Sequence, residues 1–157
     1  MIDEIVQAVH SIPNRVMGSG NRAWTQAVKS AFIGLGEKLE WKVCASSTEA
    51  EVEPEWLFDL CWYKRSENEG LDIGLVLESE WSHHKHDLIF DFEKLLCAKS
   101  PYKIFIFESY ENVLLEKLEY LETAIKNCQL PSNGECYTLA AYDLNRKEFK
   151  IKNVNLP

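Results

Sequence analysis

Cysteine is sparse and unpatterned in this chain: Cys44, Cys61, Cys97, Cys128 and Cys136 are odd in number, form no Cys-x-x-Cys pair and mostly sit inside apolar runs. They read as reduced core residues rather than a disulfide framework. Long apolar runs are missing as well. No stretch approaches the roughly 18 to 20 apolar residues that span a bilayer, because charges interrupt the apolar strands within a few positions, so no membrane association is expected. The opening segment carries Asp3 and Glu4 where a secretory leader would be basic and has no small-residue cleavage site, which leaves the cytoplasm as the expected location. Cations are in the minority. Seventeen Lys and Arg stand against 25 Asp and Glu, a net charge of −8, so the molecule as a whole repels polyanions and strong non-specific DNA binding is disfavoured. That leaves room for a local basic face, or for a carboxylate cluster whose charge is inverted by divalent cations.

What is present is enough apolar material, 46% of 157 residues, to close one sizeable core, and a single domain over 1–157 is the default expectation. After a short N-terminal stretch, Pro13 and the Gly18-Ser19-Gly20-Asn21 cluster mark a turn, with Ser19 or Asn21 available to cap a helix. Trp24, Ala27, Val28, Ala31, Phe32, Leu35 and Leu39 then recur at spacings of three and four, predicting a helix that ends near Glu40. From Trp41 to Ser46 the period is two, the mark of a strand with one face buried. A polar connection over Ser46–Glu55 leads to an aromatic strand, Trp56–Tyr63, with Asp59 as its one charge. Lys64–Gly70 reads as a turn and Leu71–Trp81 as a third strand that turns acidic at its end. Asp87–Lys99 is a helix stopped by Ser100-Pro101, Tyr102–Phe107 a buried strand of the parallel type, and Glu111–Cys128 an amphipathic helix. A turn at Pro131–Gly134, a strand over Tyr137–Tyr142 and a short strand over Phe149–Ile151 complete the chain. The order predicts an α/β fold, a mixed sheet flanked by helices, in which a helical crossover can join parallel strands.

Within that frame, Glu78 and Glu80 stand two apart on a strand, so both side chains leave one face beside a loop. Two like charges next to Leu75-Val76-Leu77 cost free energy unless cations or basic partners compensate, and oxygen-ligated divalent metals are a common compensation. Asp59, inside the preceding strand, is equally hard to explain structurally and approaches the Glu pair if the two strands form a hairpin. Three carboxylates on one cleft would suit Mg²⁺ or Mn²⁺ held against a phosphodiester. The alternative is structural, with Asp59 paired to a lysine and the Glu pair fanned into solvent.

Asp59, the later Glu78-Ser79-Glu80, the helix before them and the helix and strand after them resemble the PD-(D/E)XK nuclease superfamily over roughly residues 20–110. The resemblance implies a restriction-endonuclease-like αβββαβ core with the C-terminal helix and strands added, Mg²⁺-dependent phosphodiester cleavage, and Asp59 and Glu78 as metal ligands. Glu80 occupies the position where lysine is usual and, as in a Glu-x-Glu minority of restriction enzymes, would act as general base. Phe58 stands where proline is often found. Glu37 matches the helix glutamate of many members, a role Glu40 could equally fill. Lys94, one helical turn beyond Asp91, either stands in for the missing lysine or is an ordinary solvated helix charge, the commoner case.

Ser82-His83-His84-Lys85-His86 lacks a fourth ligand at zinc spacing. His84 or Lys85 in this loop would instead touch phosphate at the mouth of the cleft. Gly18-Ser19-Gly20 lacks the lysine of a phosphate-binding loop and reads as a turn. Two functions follow: a metal-dependent nuclease acting on DNA or RNA, or a catalytically inactive nuclease-like fold that binds a protein partner or a second copy of itself.

Overall fold

The first fifteen residues, expected as a plain lead-in, are helical. In the computed structural model, which describes residues 1–46, 50, 52–67, 70–130 and 133–157, α1 spans Ile2–Ser11 and a 3-10 turn follows over Ile12–Arg15. Asp3 and Glu4 sit in the first turn and His10 in the last, complementing the helix dipole. Ile5, Val9 and Ile12, at helical spacing, are fully buried. The chain divides into two compact units, Met1–Val76 and Leu77–Pro157.

In the first unit α1 packs on α2, Asn21–Lys38, which also packs on β1, Lys42–Ala45, and β2, Leu60–Arg65. The N-cap of α2 is Gly20 at φ +82°, and neither Ser19 nor Asn21 caps it with a side chain, because a backbone turn only glycine adopts easily begins the helix. At the other end Trp41 N–H donates to the Gly36 carbonyl at 2.9 Å and Glu40 N–H to the Glu37 carbonyl at 3.0 Å, with Glu40 left-handed at φ +60°. This double closure satisfies the last carbonyls and sets the exit toward β1. β1 and β2 pair antiparallel with Val43 opposite Trp62 and Cys44 opposite Cys61. Val43, Cys44 and Ala45 are all buried, so β1 is covered on both faces rather than the expected one. The buried indole of Trp62 donates to the Phe32 carbonyl of α2 at 3.0 Å, so burying its N–H leaves no orphan donor. Lys29, 4% exposed, reaches the Ser46 carbonyl and Glu55, each at 3.0 Å. Of the expected Ser46–Glu55 connection, residues 47–49 and 51 lie outside the described residues, as do 68–69 of Lys64–Gly70.

β2 begins at Leu60, four residues later than expected. Glu55, Trp56 and Leu57 are exposed, so the first half of the aromatic run is a surface connection rather than the expected strand. β3 spans Leu71–Glu80.

The second unit holds the end of β3, then α3, Lys85–Cys97, β4, Tyr102–Ser109, α4, Glu111–Asn127, β5, Cys136–Asp143, and β6, Glu148–Asn155. β4 and β5 are parallel, joined by α4, and β5 and β6 are antiparallel, so the sheet is mixed. Ile104 to Phe107 are completely buried. Phe92 of α3 packs on Phe105 with ring centroids 5.5 Å apart, and α4 packs on β5 and β6. The α/β class and the order from α2 to β4 are those expected. β5 and β6 are longer than their apolar runs because Cys136, Asp143, Lys150, Lys152 and Asn153 join the ladder through backbone groups. The four-residue connection at 144–147 ends with Lys147 left-handed at φ +59°, and Asp143 Oδ1 accepts from the Asn145 and Arg146 N–H groups. Pro131 and Ser132 of the expected turn lie outside the described residues. Cys44, Cys61 and Cys136 are buried and free, but Cys97 is exposed at the end of α3.

Candidate carboxylate and lysine site

β3 and α3 bring four charged side chains together in the second unit. The alternation of β3 points Glu78 and Glu80 to one face, and Asp91 and Lys94, three apart on α3, share one face of the helix. Lys94 Nζ lies 2.8 Å from Glu78 Oε1 and 2.9 Å from Asp91 Oδ1. Glu78 is 2% exposed, and the ammonium beside it offsets the cost of burying a carboxyl group. Burial pulls the Lys94 ammonium down, and its hydrogen bonds to Glu78 and Asp91 outweigh this and leave it above the usual lysine range. The helix lysine is therefore a buried carboxylate's partner, not a solvated charge.

Glu80, at the end of β3, is half-buried and accepts the Ser82 N–H at 2.5 Å through Oε1. Burial pushes its carboxyl above the usual range; the Ser82 N–H opposes this, and a hydrogen bond and charge repulsion from Asp91 reinforce it. Ser82 also donates through Oγ to Asp87 at 2.8 Å and accepts the His84 N–H at 3.1 Å, which fixes the loop between β3 and α3. Asp91 and Ser82 carried no signal of their own in the sequence. Asp91 could be found only by asking which α3 residues share a face with Lys94.

Asp59, in the first unit, is a half-buried bend residue immediately before β2 and not an interior strand residue, because pairing starts at Leu60. Glu37 is exposed on α2, and Glu40 is exposed at the left-handed cap that closes it. His84 precedes α3 as its exposed N-cap residue, and Lys85 opens the helix with its ammonium 5.2 Å from the Tyr120 ring centroid. His83 stacks on Tyr110 at 5.5 Å and its Nε2 lies 3.2 Å from Glu108, so the three histidines do not converge as a zinc set.

All the acidic donors of the cluster are oxygens, the preference of a hard dication. Among the described residues no group of three or more His, Cys, Asp or Glu is gathered for a metal ion, since Glu78 is turned to Lys94. Glu80 and Asp91 are the two carboxylates that repel each other and would gain from a cation. Two carboxylates with waters and a substrate phosphate are a sufficient protein share for Mg²⁺. Among the described residues no helix is long and apolar enough to cross a membrane. Comparison with family models, curated proteins and solved structures gave no match.

Proposed function

We propose that this chain is a metal-dependent phosphodiesterase of the restriction-endonuclease-like kind, acting on DNA or RNA, with Glu78, Glu80, Asp91 and Lys94 at its centre. The observation that carries the reading is Lys94 held between buried Glu78 and Asp91 beside a second glutamate whose proton affinity is raised. Glu80 and Asp91 are the residues that would hold Mg²⁺ or Mn²⁺; when bound, such an ion lowers the pKa of water and stabilises charge on phosphate oxygens. Glu80, at the last position of the Glu78-Ser79-Glu80 motif, would take a proton from the attacking water through the carboxylate oxygen not engaged with the ion. Lys94 replaces in space the lysine that the Glu78-Ser79-Glu80 motif lacks in sequence, orienting the carboxylates and offering a cation to a phosphate oxygen. The supporting element order from α2 to β4 is that of the αβββαβ core.

Calorimetric titration with Mn²⁺ tests this, followed by cleavage assays on DNA and RNA. Binding in the wild type that is lost in Glu80→Gln and Asp91→Asn, with metal-dependent cleavage, is the expected result. No heat and no cleavage would sink the proposal. Asp59, which the resemblance enlists as a ligand, is tested separately by whether Asp59→Asn weakens Mn²⁺ binding.

A second reading rests on the exposed pair Trp56 and Leu57, 40% and 78% accessible: an inactive nuclease-like fold that binds a protein partner or a second copy. It predicts no metal binding and an assembly state that Leu57→Ser changes, read by light scattering.

A further inference from the structure

A cleft of the second unit that combines apolar walls with cations lies between α3 and α4. Its volume is about 240 Å³, with Leu88, Ile89 and Val113 as apolar wall and Lys85, Lys117 and Tyr120 at its rim. That volume lies a little below the ~300–1,000 Å³ of drug-sized ligand sites and suits a compact organic molecule. The cleft opens just beyond the carboxyl ends of β3 and β4, since His83 follows the first and α4 begins after the second. Open α/β sheets bind ligands outside the carboxyl ends of their strands.

Charge narrows the ligand. Lys85 and Lys117 line the cleft with two ammonium groups and Glu116 with a carboxylate, and Glu108 lies 3.2 Å from His83 Nε2. Two lysine donors lining one cleft suit a single carboxylate, whose two oxygens can each accept from one of them. Neither Lys85 nor Lys117 is in an ion pair among the described residues. Lys117 is half-buried, and burial holds its ammonium below the usual range, with Glu108 only partly opposing. A cation sheathed by apolar atoms and lacking a close carboxylate is poised for one from a ligand. Lys85 is steadied against the Tyr120 ring at 5.2 Å, which keeps a second donor at the same rim.

We propose that the α3–α4 cleft binds a small monocarboxylic acid with a branched aliphatic or aromatic body, its carboxylate on Lys117 and Lys85 and its body on Leu88, Ile89 and Val113. The site is separate from the Glu78–Lys94 cluster and does not depend on phosphodiesterase activity. Ligand-observed NMR and calorimetry with 4-methylpentanoate and phenylacetate test it, alongside their neutral amides, inorganic phosphate and a dinucleotide. The acids are expected to bind with millimolar or tighter affinity. Lys117→Met is expected to weaken them about tenfold or more while leaving the amides unchanged, the loss of one charge-assisted contact. Val113→Phe, which fills the wall, should weaken acids and amides alike, and Glu80→Gln should change neither. Absence of binding at about 10 mM, amides binding as tightly as the acids, or an unchanged affinity in Lys117→Met would overturn the proposal. Tighter binding of the dinucleotide, or of phosphate, would overturn it by assigning the cleft to a different ligand.

Discussion

Lys94 Nζ of α3 lies 2.8 Å from Glu78 Oε1 of β3 and 2.9 Å from Asp91 Oδ1, so one ammonium joins a strand glutamate to a helix aspartate. Two consequences follow from that placement. The pair makes a buried carboxylate tolerable, and it leaves Glu80 as the carboxylate of the cluster that faces Asp91 without an ammonium of its own.

Removing the ammonium while keeping its stem isolates the first consequence. Lys94→Met should destabilise the protein by about 1.5–3 kcal/mol in urea unfolding, below the 3–5 kcal/mol of a fully buried pair because the Lys94 side chain is 34% exposed. The double variant Lys94→Met/Glu78→Gln should recover most of the loss. A single-variant loss under about 0.5 kcal/mol would mean that the lysine does not hold Glu78.

Glu80 concerns pH. Its folded-state pKa is raised above the ordinary 4.5, so the folded state binds the proton more tightly than the unfolded state does. The favourable contribution is therefore complete below about pH 4.5 and is lost as pH rises through the folded value. Glu80→Gln should raise Tm at pH 7 and lose that advantage near pH 4. Equal changes at both pH values would contradict the assignment.

Lys103, 1% exposed, donates to Glu135 at 2.6 Å and to the Tyr137 hydroxyl at 2.9 Å. Burial, and then the charge and hydrogen bond of Glu135, push the Tyr137 phenol well up, so the lysine faces one carboxylate and one neutral phenol. Lys103→Met leaves Glu135 uncompensated and should cost about 3–5 kcal/mol. Lys103→Met/Glu135→Leu should be far less harmful, and chemical denaturation of both variants distinguishes the outcomes.

Gly34 and Gly36 sit two apart near the end of α2 and respond oppositely to alanine. A Cβ at Gly34 meets nothing within 4 Å, whereas one at Gly36 would stand 2.6 Å from Trp62 Nε1 and 2.9 Å from Val43 Cγ2. Gly34→Ala should stabilise by about 0.5–1 kcal/mol through helix propensity. Gly36→Ala should destabilise by about 1–3 kcal/mol by overpacking and by disturbing the Trp62 hydrogen bond to Phe32. Thermal melts of the two variants give the signs directly.

Much of the architecture is written locally. The three- and four-residue spacing of Ala27, Val28, Ala31, Phe32 and Leu35 fixes a helix face because 3.6 residues make a turn, and the structure buries those positions. The continuous Ile104–Phe107 run announces a strand buried on both faces beside a parallel neighbour. Ile5, Val9 and Ile12 also stand at helical spacing, and all three are buried. At the site, the two-residue period put Glu78 and Glu80 on one face without any tertiary information.

Local pattern could not decide which charges meet. Lys94 looks like any exposed helix lysine until α3 lies on the strand that carries Glu78. Asp59 looks like a strand carboxylate until pairing is seen to start one residue later. Gly34 and Gly36 are the same residue in the same helix, separated only by whether Trp62 stands opposite. The sequence by itself determined the order of elements from α2 to β6 and the shared face of Glu78 and Glu80, since these depend on backbone periodicity. Only the tertiary structure decided the partners of Glu78, Glu80 and Lys94, because burial and Coulomb energy depend on distances between residues far apart in the chain.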